Sequence, residues 1–253
     1  MIGYSPIGSG DQKVIVLHGW LGDHTVFAPL MPLLDRDTYT YVFVDYRGYG
    51  ASLDIAGDFT VEEIAADVLE LASHLNWERF HVIGHSMGGK VAQYLAASAP
   101  ERVQSVTALT AVPASGVPMD NDGWGLFSGA IENAENRYQI IDFTTGCRLP
   151  ATWINSVVSA SFETTTKKAF AGYLESWVKG NFQDLAEGMT LPFNVLVGEH
   201  DGALTEQVMQ DTFMRWYPNA HLEVLPGAGH YPMQETPAYL VATIERFLGK
   251  NSG

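Results

Sequence analysis

Short apolar runs alternate along the chain with segments whose apolar residues recur at helical spacing. The clearest helix is predicted over residues 60–76, where Thr60 is a candidate N-cap and Glu63 completes a capping-box pattern. Its apolar stripe consists of Ile64, Val68, Leu71 and Leu75. The apolar runs that predict strands are residues 14–17, 39–45, 80–83, 103–111, 193–197 and 222–225. A last helix is predicted over residues 237–248. Alternating strands and helices predict an α/β protein with a mostly parallel, twisted sheet flanked by helices.

Residues 114–190 break this alternation. They begin with a loop containing glycine and proline and continue as helical segments without a clear strand. We interpret residues 1–113 and 191–253 as one core and residues 114–190 as a helical cap inserted into it. The insertion is rich in aromatic residues: Trp124, Phe127, Tyr138, Phe143, Trp153, Phe162, Phe170, Tyr173, Trp177 and Phe182. Such rings either hold small helices together or line an apolar pocket, and we expect some of them to face a cleft.

A Gly-His-Ser-Met-Gly sequence at residues 84–88 directly follows the apolar run at 80–83. It fits the pattern G-x-S-x-G, in which a sharp strand-to-helix turn exposes the serine hydroxyl. Glycine at 84 and 88 removes the Cβ atoms that would obstruct such a turn. The alternative is a glycine-rich turn with an incidental serine. The segment therefore makes Ser86 a candidate nucleophile, which other residues must support.

A serine hydroxyl becomes a good nucleophile when an imidazole takes its proton, and a carboxylate must orient that imidazole. The required side chains follow two later strands. Glu199 and Asp201 come after the run at 193–197, and His230 comes after the run at 222–225. Parallel sheets bind ligands at the carboxyl ends of their strands, so we expect these groups to meet at one edge.

Five landmarks occur in an order that resembles the α/β-hydrolase superfamily, and the resemblance covers nearly the whole chain. The landmarks are His18-Gly19-Trp20, Asp45-Tyr46-Arg47-Gly48-Tyr49-Gly50, Gly84-His85-Ser86-Met87-Gly88-Gly89, Gly198-Glu199-His200-Asp201 and Gly227-Ala228-Gly229-His230. Only about a dozen residues precede Val14. We therefore expect a sheet of about seven strands whose first strand is missing or very short.

The resemblance implies a catalytic triad of Ser86 as nucleophile, Asp201 as acid and His230 as base. It also implies an oxyanion hole formed by the backbone N–H groups of Trp20 and Met87. Serine at the elbow differs from the aspartate that haloalkane dehalogenases and epoxide hydrolases of this superfamily carry there. Glu199 remains an alternative acid, since loop details decide which carboxylate reaches the imidazole.

Other polar residues near these motifs receive structural interpretations. We expect Asp45 to brace loops, His85 to pack beside the elbow, and His18 to hold the oxyanion loop by a hydrogen bond. His200 has no second ligand at helical or hairpin spacing, so we predict no metal site. No cofactor is expected either.

Composition narrows the possible partners. The net charge of −15 disfavours nucleic acid and anionic membranes, and 46% hydrophobic residues favour a folded core. One cysteine, Cys147, cannot form an intramolecular disulfide. The sequence shows neither a secretory signal nor an apolar run of membrane-spanning length. We expect a cytoplasmic monomer or homodimer that acts on a small molecule.

The leading functional hypothesis is a serine hydrolase that cleaves carboxylic esters or lactones of small, largely apolar substrates through an acyl-enzyme. One alternative is hydrolysis of a carbon–carbon bond in ring-cleavage products. Others are a cofactor-free oxygenase or lyase and a non-catalytic ligand-binding module. A preference for dianionic substrates would require an anion site built from basic residues of the insertion: Arg137, Arg148, Lys167 or Lys168.

Overall fold

A computed structural model describes residues 1–252 of the chain. Within this range the strands are β1 (Tyr4–Ile7), β2 (Gln12–Leu17), β3 (Tyr39–Val44), β4 (Phe80–His85), β5 (Val103–Leu109), β6 (Phe193–Gly198) and β7 (Ala220–Leu225). They form one sheet in the order β1-β3-β2-β4-β5-β6-β7. β1 is antiparallel to β3, and every other neighbouring pair is parallel. The predicted fold class is confirmed.

The helices between and after the strands complete an α/β arrangement. They are α1 (Val61–His74), α2 (Met87–Ser98), α3 (Asn121–Gly129), α4 (Ala134–Thr144), α5 (Ala151–Glu163), α6 (Lys167–Lys179), α7 (Gln183–Ala186), α8 (Glu206–Asp211), α9 (Phe213–Trp216), α10 (Pro232–Glu235) and α11 (Pro237–Lys250). Short 3₁₀ turns lie at His24–Phe27, Met31–Leu33 and Gly50–Ser52. In the part of the chain that the structure describes, no helix has the length and apolarity needed to cross a membrane.

The sheet is buried on both faces, which explains its continuous apolar strands. Along β2, Ile15 and Leu17 belong to one hydrophobic cluster with α1 and α2, whereas Val14 and Val16 belong to another with α11. Successive side chains of a strand point to opposite faces, so each face receives one of these clusters.

Several sequence predictions need adjustment at their boundaries. The expected short first strand is confirmed, since β1 has four residues. α2 begins at Met87, directly after the elbow serine. Thr60 caps α1 as predicted by accepting a hydrogen bond from the Glu63 N–H. The capping box is wrong in its second half, because the Glu63 carboxylate accepts from the N–H groups of Asp58 and Phe59 instead.

Residues 114–190, called the insert below, lie between β5 and β6. They contain α3 to α7, and the structure gives residues 114–190 no strand beyond an isolated bridge between Thr165 and Tyr49. The division of the chain into a core and a cap remains a prediction. Because the insert follows β5, its helices lie over the carboxyl ends of the strands, where the candidate site is found.

Candidate active site

The turn that carries Ser86 joins β4 to α2 within one residue. Ser86 has φ +54° and ψ −116°, a left-handed φ that costs a non-glycine residue free energy. A Cβ atom on Gly84 would collide with the carbonyl oxygen of Gly88. A Cβ atom on Gly88 would lie 2.6 Å from the carbonyl oxygen of His18. The two glycines thus permit a turn that is packed tightly against the end of β2.

His230 and Asp201 meet at the same edge of the sheet. The Nδ1–H of His230 donates a 2.6 Å hydrogen bond to Asp201 Oδ2, and both residues are buried. The other oxygen, Oδ1, accepts from the backbone N–H groups of Ala203 and Leu204 at 2.9 and 3.0 Å. A carboxylate can only accept, so the imidazole proton is on Nδ1. Its Nε2 is left as the basic nitrogen.

Glu199, the alternative acid, is turned away from His230. Its carboxylate is exposed and accepts a 2.8 Å hydrogen bond from the Gly227 N–H. The structure therefore brings Asp201 rather than Glu199 into contact with the imidazole. The catalytic role of either carboxylate remains a prediction.

The backbone of His230 is fixed by three hydrogen bonds. Its N–H donates to the carbonyl oxygen of Thr144 at 3.1 Å. Its own carbonyl accepts from His85 Nε2 at 2.8 Å and from Thr110 Oγ1 at 3.3 Å. Burial lowers the pKa of His85, with a further contribution from nearby His230. His85 thus packs beside the elbow as expected, and in addition it helps to hold His230.

Thr110 and Thr144 were missed by sequence reasoning. Thr110 follows β5 with φ +39°, and a lone threonine after a strand gives no signal of this role. Thr144 ends α4 of the insert, so its contact with His230 depends on tertiary packing. Both lie far from His230 in the sequence.

Three successive carbonyl groups of the loop after β2 each accept a buried side-chain hydrogen bond. Tyr46 Oη donates to the His18 oxygen at 2.8 Å, and Tyr49 Oη donates to the Trp20 oxygen at 3.0 Å. Between them, His18 Nδ1–H donates to the Gly19 oxygen at 2.8 Å, as expected for a residue that holds this loop. In a trans peptide the N–H points opposite to the C=O, so the His18 bond also fixes the direction of the Trp20 N–H.

The N–H groups of Trp20 and Met87 are free to donate. Within residues 1–252, neither of them donates to another protein atom. Met87 is the first residue of α2, where backbone N–H groups lack a partner inside the helix. The geometry is compatible with the predicted oxyanion hole, whose role remains a prediction.

Asp45 braces two loops, as the sequence indicated. It accepts hydrogen bonds from the His24 N–H at 2.9 Å, from His24 Nδ1 at 2.8 Å and from the Ala51 N–H at 2.8 Å. Burial by itself would raise the pKa of the Asp45 carboxyl, but the hydrogen bonds from His24 and Ala51 and the charge of His18 hold it below its usual value. The hydrogen bond to Asp45 raises the pKa of His24.

The same region contains three residues whose side chains lie close enough together to bind a metal ion. One ligand atom each of Asp23, His24 and Asp45 lies within 4.8 Å of the others. Two of these residues bond to each other, since His24 donates to Asp45, while Asp23 Oδ1 accepts from Thr25 outside the group. These hydrogen bonds brace the loop around residue 24.

A cavity of about 80 Å³ lies between the sheet edge and the insert. Ser86 and His230 line its floor together with apolar residues of the core, and its remaining walls come from the insert. The insert residues are Val117, Met119, Phe127, Ile140, Thr144 and Trp177. Two of the predicted cap aromatics, Phe127 and Trp177, thus face the cleft, whereas others such as Phe170 and Tyr173 pack against the core.

The basic residues of the insert do not reach this cavity. Arg148 pairs with Glu235 and Lys167 with Glu132, and Arg137 is buried between two phenylalanine rings. Among the described residues that line the cavity, none is lysine or arginine. An anion site built from these residues, as a dianionic substrate would require, is absent from this part of the structure.

Comparison with known proteins finds a family that matches part of the chain. Residues 13–134 match the family described as having the alpha/beta hydrolase fold. A serine hydrolase-like protein of Danio rerio is 39% identical over 103 residues, which span 40% of this chain and 31% of that relative. The chain therefore matches only about a third of the length of this relative.

Longer matches extend over nearly the whole chain. A putative esterase/lipase of Haemophilus influenzae is 25% identical over 247 residues, covering 94% of this chain and 83% of that protein. The solved structure of a hydrolase from Oleispira antarctica superimposes with a TM-score of 0.88 at 19% identity. That superposition covers 99% of this chain and 95% of the other, and at this identity it establishes the fold alone.

Proposed function

The chain belongs to the α/β-hydrolase superfamily, and from this premise we propose that it hydrolyses carboxylic esters or lactones of small, largely apolar substrates. The nucleophile is Ser86, the base His230 and the acid Asp201. The observation that carries the proposal is the 2.6 Å hydrogen bond from His230 to Asp201, beside a cavity that His230 shares with Ser86. An imidazole with its proton on Nδ1 has a basic Nε2 to offer the serine.

The reaction proceeds in two halves. His230 Nε2 takes the proton of Ser86 Oγ while Oγ forms a bond to the carbonyl carbon, and the N–H groups of Trp20 and Met87 stabilise the oxyanion. The C–O bond to the leaving alcohol then breaks, and the alcohol departs with the proton from Nε2. Water attacks the acyl-enzyme by the same route and releases the carboxylic acid and Ser86.

The lining of the cavity supports an apolar substrate. Apart from the histidines, the described lining contains no ionisable side chain other than Tyr231, and its insert wall is mostly aliphatic and aromatic. This lining disfavours the carbon–carbon hydrolase, since a dianionic ring-cleavage product would meet no cation there. The name of the Haemophilus influenzae relative, a putative esterase/lipase, agrees with an ester substrate.

A panel of p-nitrophenyl esters tests the proposal. Acetate, butyrate and hexanoate esters should be hydrolysed with KM falling by up to about fourfold per added methylene until the cavity is full, because each buried methylene contributes about 0.8 kcal/mol. The anionic hemisuccinate ester should be a poorer substrate than butyrate, most clearly at low salt, given the net charge of −15.

Ser86→Ala is the control for this panel, because it measures ester hydrolysis that does not depend on the proposed nucleophile. Equal turnover by wild type and Ser86→Ala would contradict the proposal. A preference for the hemisuccinate would contradict the apolar substrate class. Tight binding of a hydrophobic ligand with no turnover of any ester would favour a non-catalytic binding module instead.

A further inference from the structure

The side chain of Trp20 joins the oxyanion loop to the insert. Its indole Nε1–H donates a 2.8 Å hydrogen bond to the backbone carbonyl oxygen of Phe170, in α6. The indole stacks on the Phe170 ring at a centroid distance of 3.9 Å. It also packs against Phe127 and Trp177, at 5.8 and 5.7 Å. All three partners belong to the insert, so Trp20 alone connects the oxyanion loop to three aromatic residues of the insert.

Phe170 is itself held firmly from its other side. The Arg137 guanidinium lies 3.5 Å from the ring centroid of Phe162 and 4.0 Å from that of Phe170. Arg137 donates to Ser161 Oγ at 2.7 Å and to the Ala130 carbonyl at 2.8 Å. The surface on which Trp20 rests is therefore a fixed part of the insert, and a shift of α6 would shift the indole with it.

We propose that Trp20 is a positioning residue whose indole, held by Phe170, makes the placement of the Trp20 backbone N–H depend on the docked insert. The inference rests on the proposed hydrolase function. The bonds of His18 and Tyr49 to adjacent carbonyls set the direction of this loop from the core side. The indole sets its position from the insert side. An oxyanion donor must lie about 2.7–3.1 Å from the developing charge, so a small displacement weakens it strongly.

Trp20→Phe separates this role from simple packing. Phenylalanine keeps a six-membered aromatic ring against Phe170 and lacks the pyrrole ring of the indole, which carries the N–H. The Phe170 carbonyl keeps its helical hydrogen bond from the N–H four residues later, so no buried acceptor is left without a partner. We expect kcat on p-nitrophenyl butyrate to fall at least about tenfold while KM changes less than about threefold.

Trp153→Phe is the matched control. The Trp153 indole Nε1–H donates a 2.9 Å hydrogen bond to Gln234 Oε1, which also joins the insert to the core but away from the oxyanion loop. This variant should keep kcat within about twofold of wild type, because phenylalanine keeps an aromatic ring against Tyr231 and residue 153 does not line the cavity. Hydrogen–deuterium exchange of the peptide covering residues 18–22 should rise in Trp20→Phe and stay unchanged in Trp153→Phe.

The possible outcomes separate the inference from the proposed function. Wild-type kcat in Trp20→Phe, or equal losses in Trp20→Phe and Trp153→Phe, would overturn the inference while leaving a serine hydrolase. A loss confined to KM would make Trp20 only a wall of the cavity and would likewise overturn it. If wild type hydrolyses no ester, the proposed function fails. Unchanged exchange of residues 18–22 in Trp20→Phe would then overturn the positioning role as well.

Discussion

The sheet edge and the insert face each other across one cavity, but different interactions hold them in place. At the sheet edge, glycine at 84 and 88 permits the tight Ser86 turn, and two backbone N–H groups donate hydrogen bonds to Asp201. The insert is joined to the core partly by backbone bonds and partly by side chains that reach backbone oxygens, as Trp20 reaches Phe170. Backbone contacts therefore hold the Ser86 turn and Asp201, whereas side-chain contacts hold much of the insert against the core.

Two buried cations illustrate the difference. Lys90, on α2, donates to the carbonyl oxygens of Trp177 and Gly180 at the end of α6. Arg137 donates hydrogen bonds to Ala130 and Ser161 and lies between two phenylalanine rings. No carboxylate within residues 1–252 forms an ion pair with it. Burial lowers the pKa of Lys90 to about 8 and that of Arg137 to about 10. The insert thus contacts two cations whose charge is costly to bury, Lys90 of the core and its own Arg137.

The largest effect is expected at the sheet edge. Asp201→Asn should lower kcat by about 10³–10⁴-fold with little change in ligand binding, because an amide that donates to Nδ1 favours the wrong imidazole tautomer. Steady-state kinetics on p-nitrophenyl butyrate measure the loss. Glu199→Gln, on the same loop, is the control and should stay within about twofold of wild type, since its carboxylate is exposed and bonds to Gly227. Near-normal Asp201→Asn beside an inactive Glu199→Gln would exchange the two assignments.

A smaller effect, on stability, is expected where Lys90 holds the insert. The pKa of Lys90 is about 8 in the folded protein and 10.5 as its ordinary value, so between these pH values the unfolded chain binds more protons. The free energy of unfolding should therefore rise with pH from about 8 to 10. Relative to Lys90→Met, wild type should gain at most about 3 kcal/mol over this range.

Urea unfolding of wild type, Lys90→Met and Lys179→Met at several pH values measures this gain. Lys179 is an exposed lysine of α6 that pairs with Glu175, so its substitution should give a difference from wild type that does not vary with pH. A Lys90→Met difference that is equally flat would show that the lysine is hydrated in the folded protein.

The sheet and its edge could be predicted from the sequence because their signals are local. Short apolar runs identified the strands, and glycine at 84 and 88 indicated the turn at Ser86. The carboxyl ends of parallel strands meet at one edge, so the loops carrying Asp201 and His230 could be placed together without further information. The capping pattern failed only in its detail, since Phe59 adopts a left-handed φ of +57° that presents other N–H groups to Glu63.

The contacts of the insert could not be predicted, because they join residues far apart in sequence and carry no periodic signal. The resemblance implied a role for the backbone N–H of Trp20, and the bond between its indole and Phe170 spans 150 residues. Arg137 was considered as an anion site, yet it is buried between aromatic rings away from the cavity. Tertiary packing alone decides which aromatic residues, such as Phe127 and Trp177, reach the cleft.

Covalent labelling with a fluorophosphonate tests the central assignment most directly, since such probes react with an activated serine hydroxyl. Wild type should take up one adduct per chain, and peptide mapping by mass spectrometry should place it on Ser86. Ser86→Ala should fold normally and take up none. An adduct on another serine, or labelling of Ser86→Ala at the wild-type rate, would contradict the account.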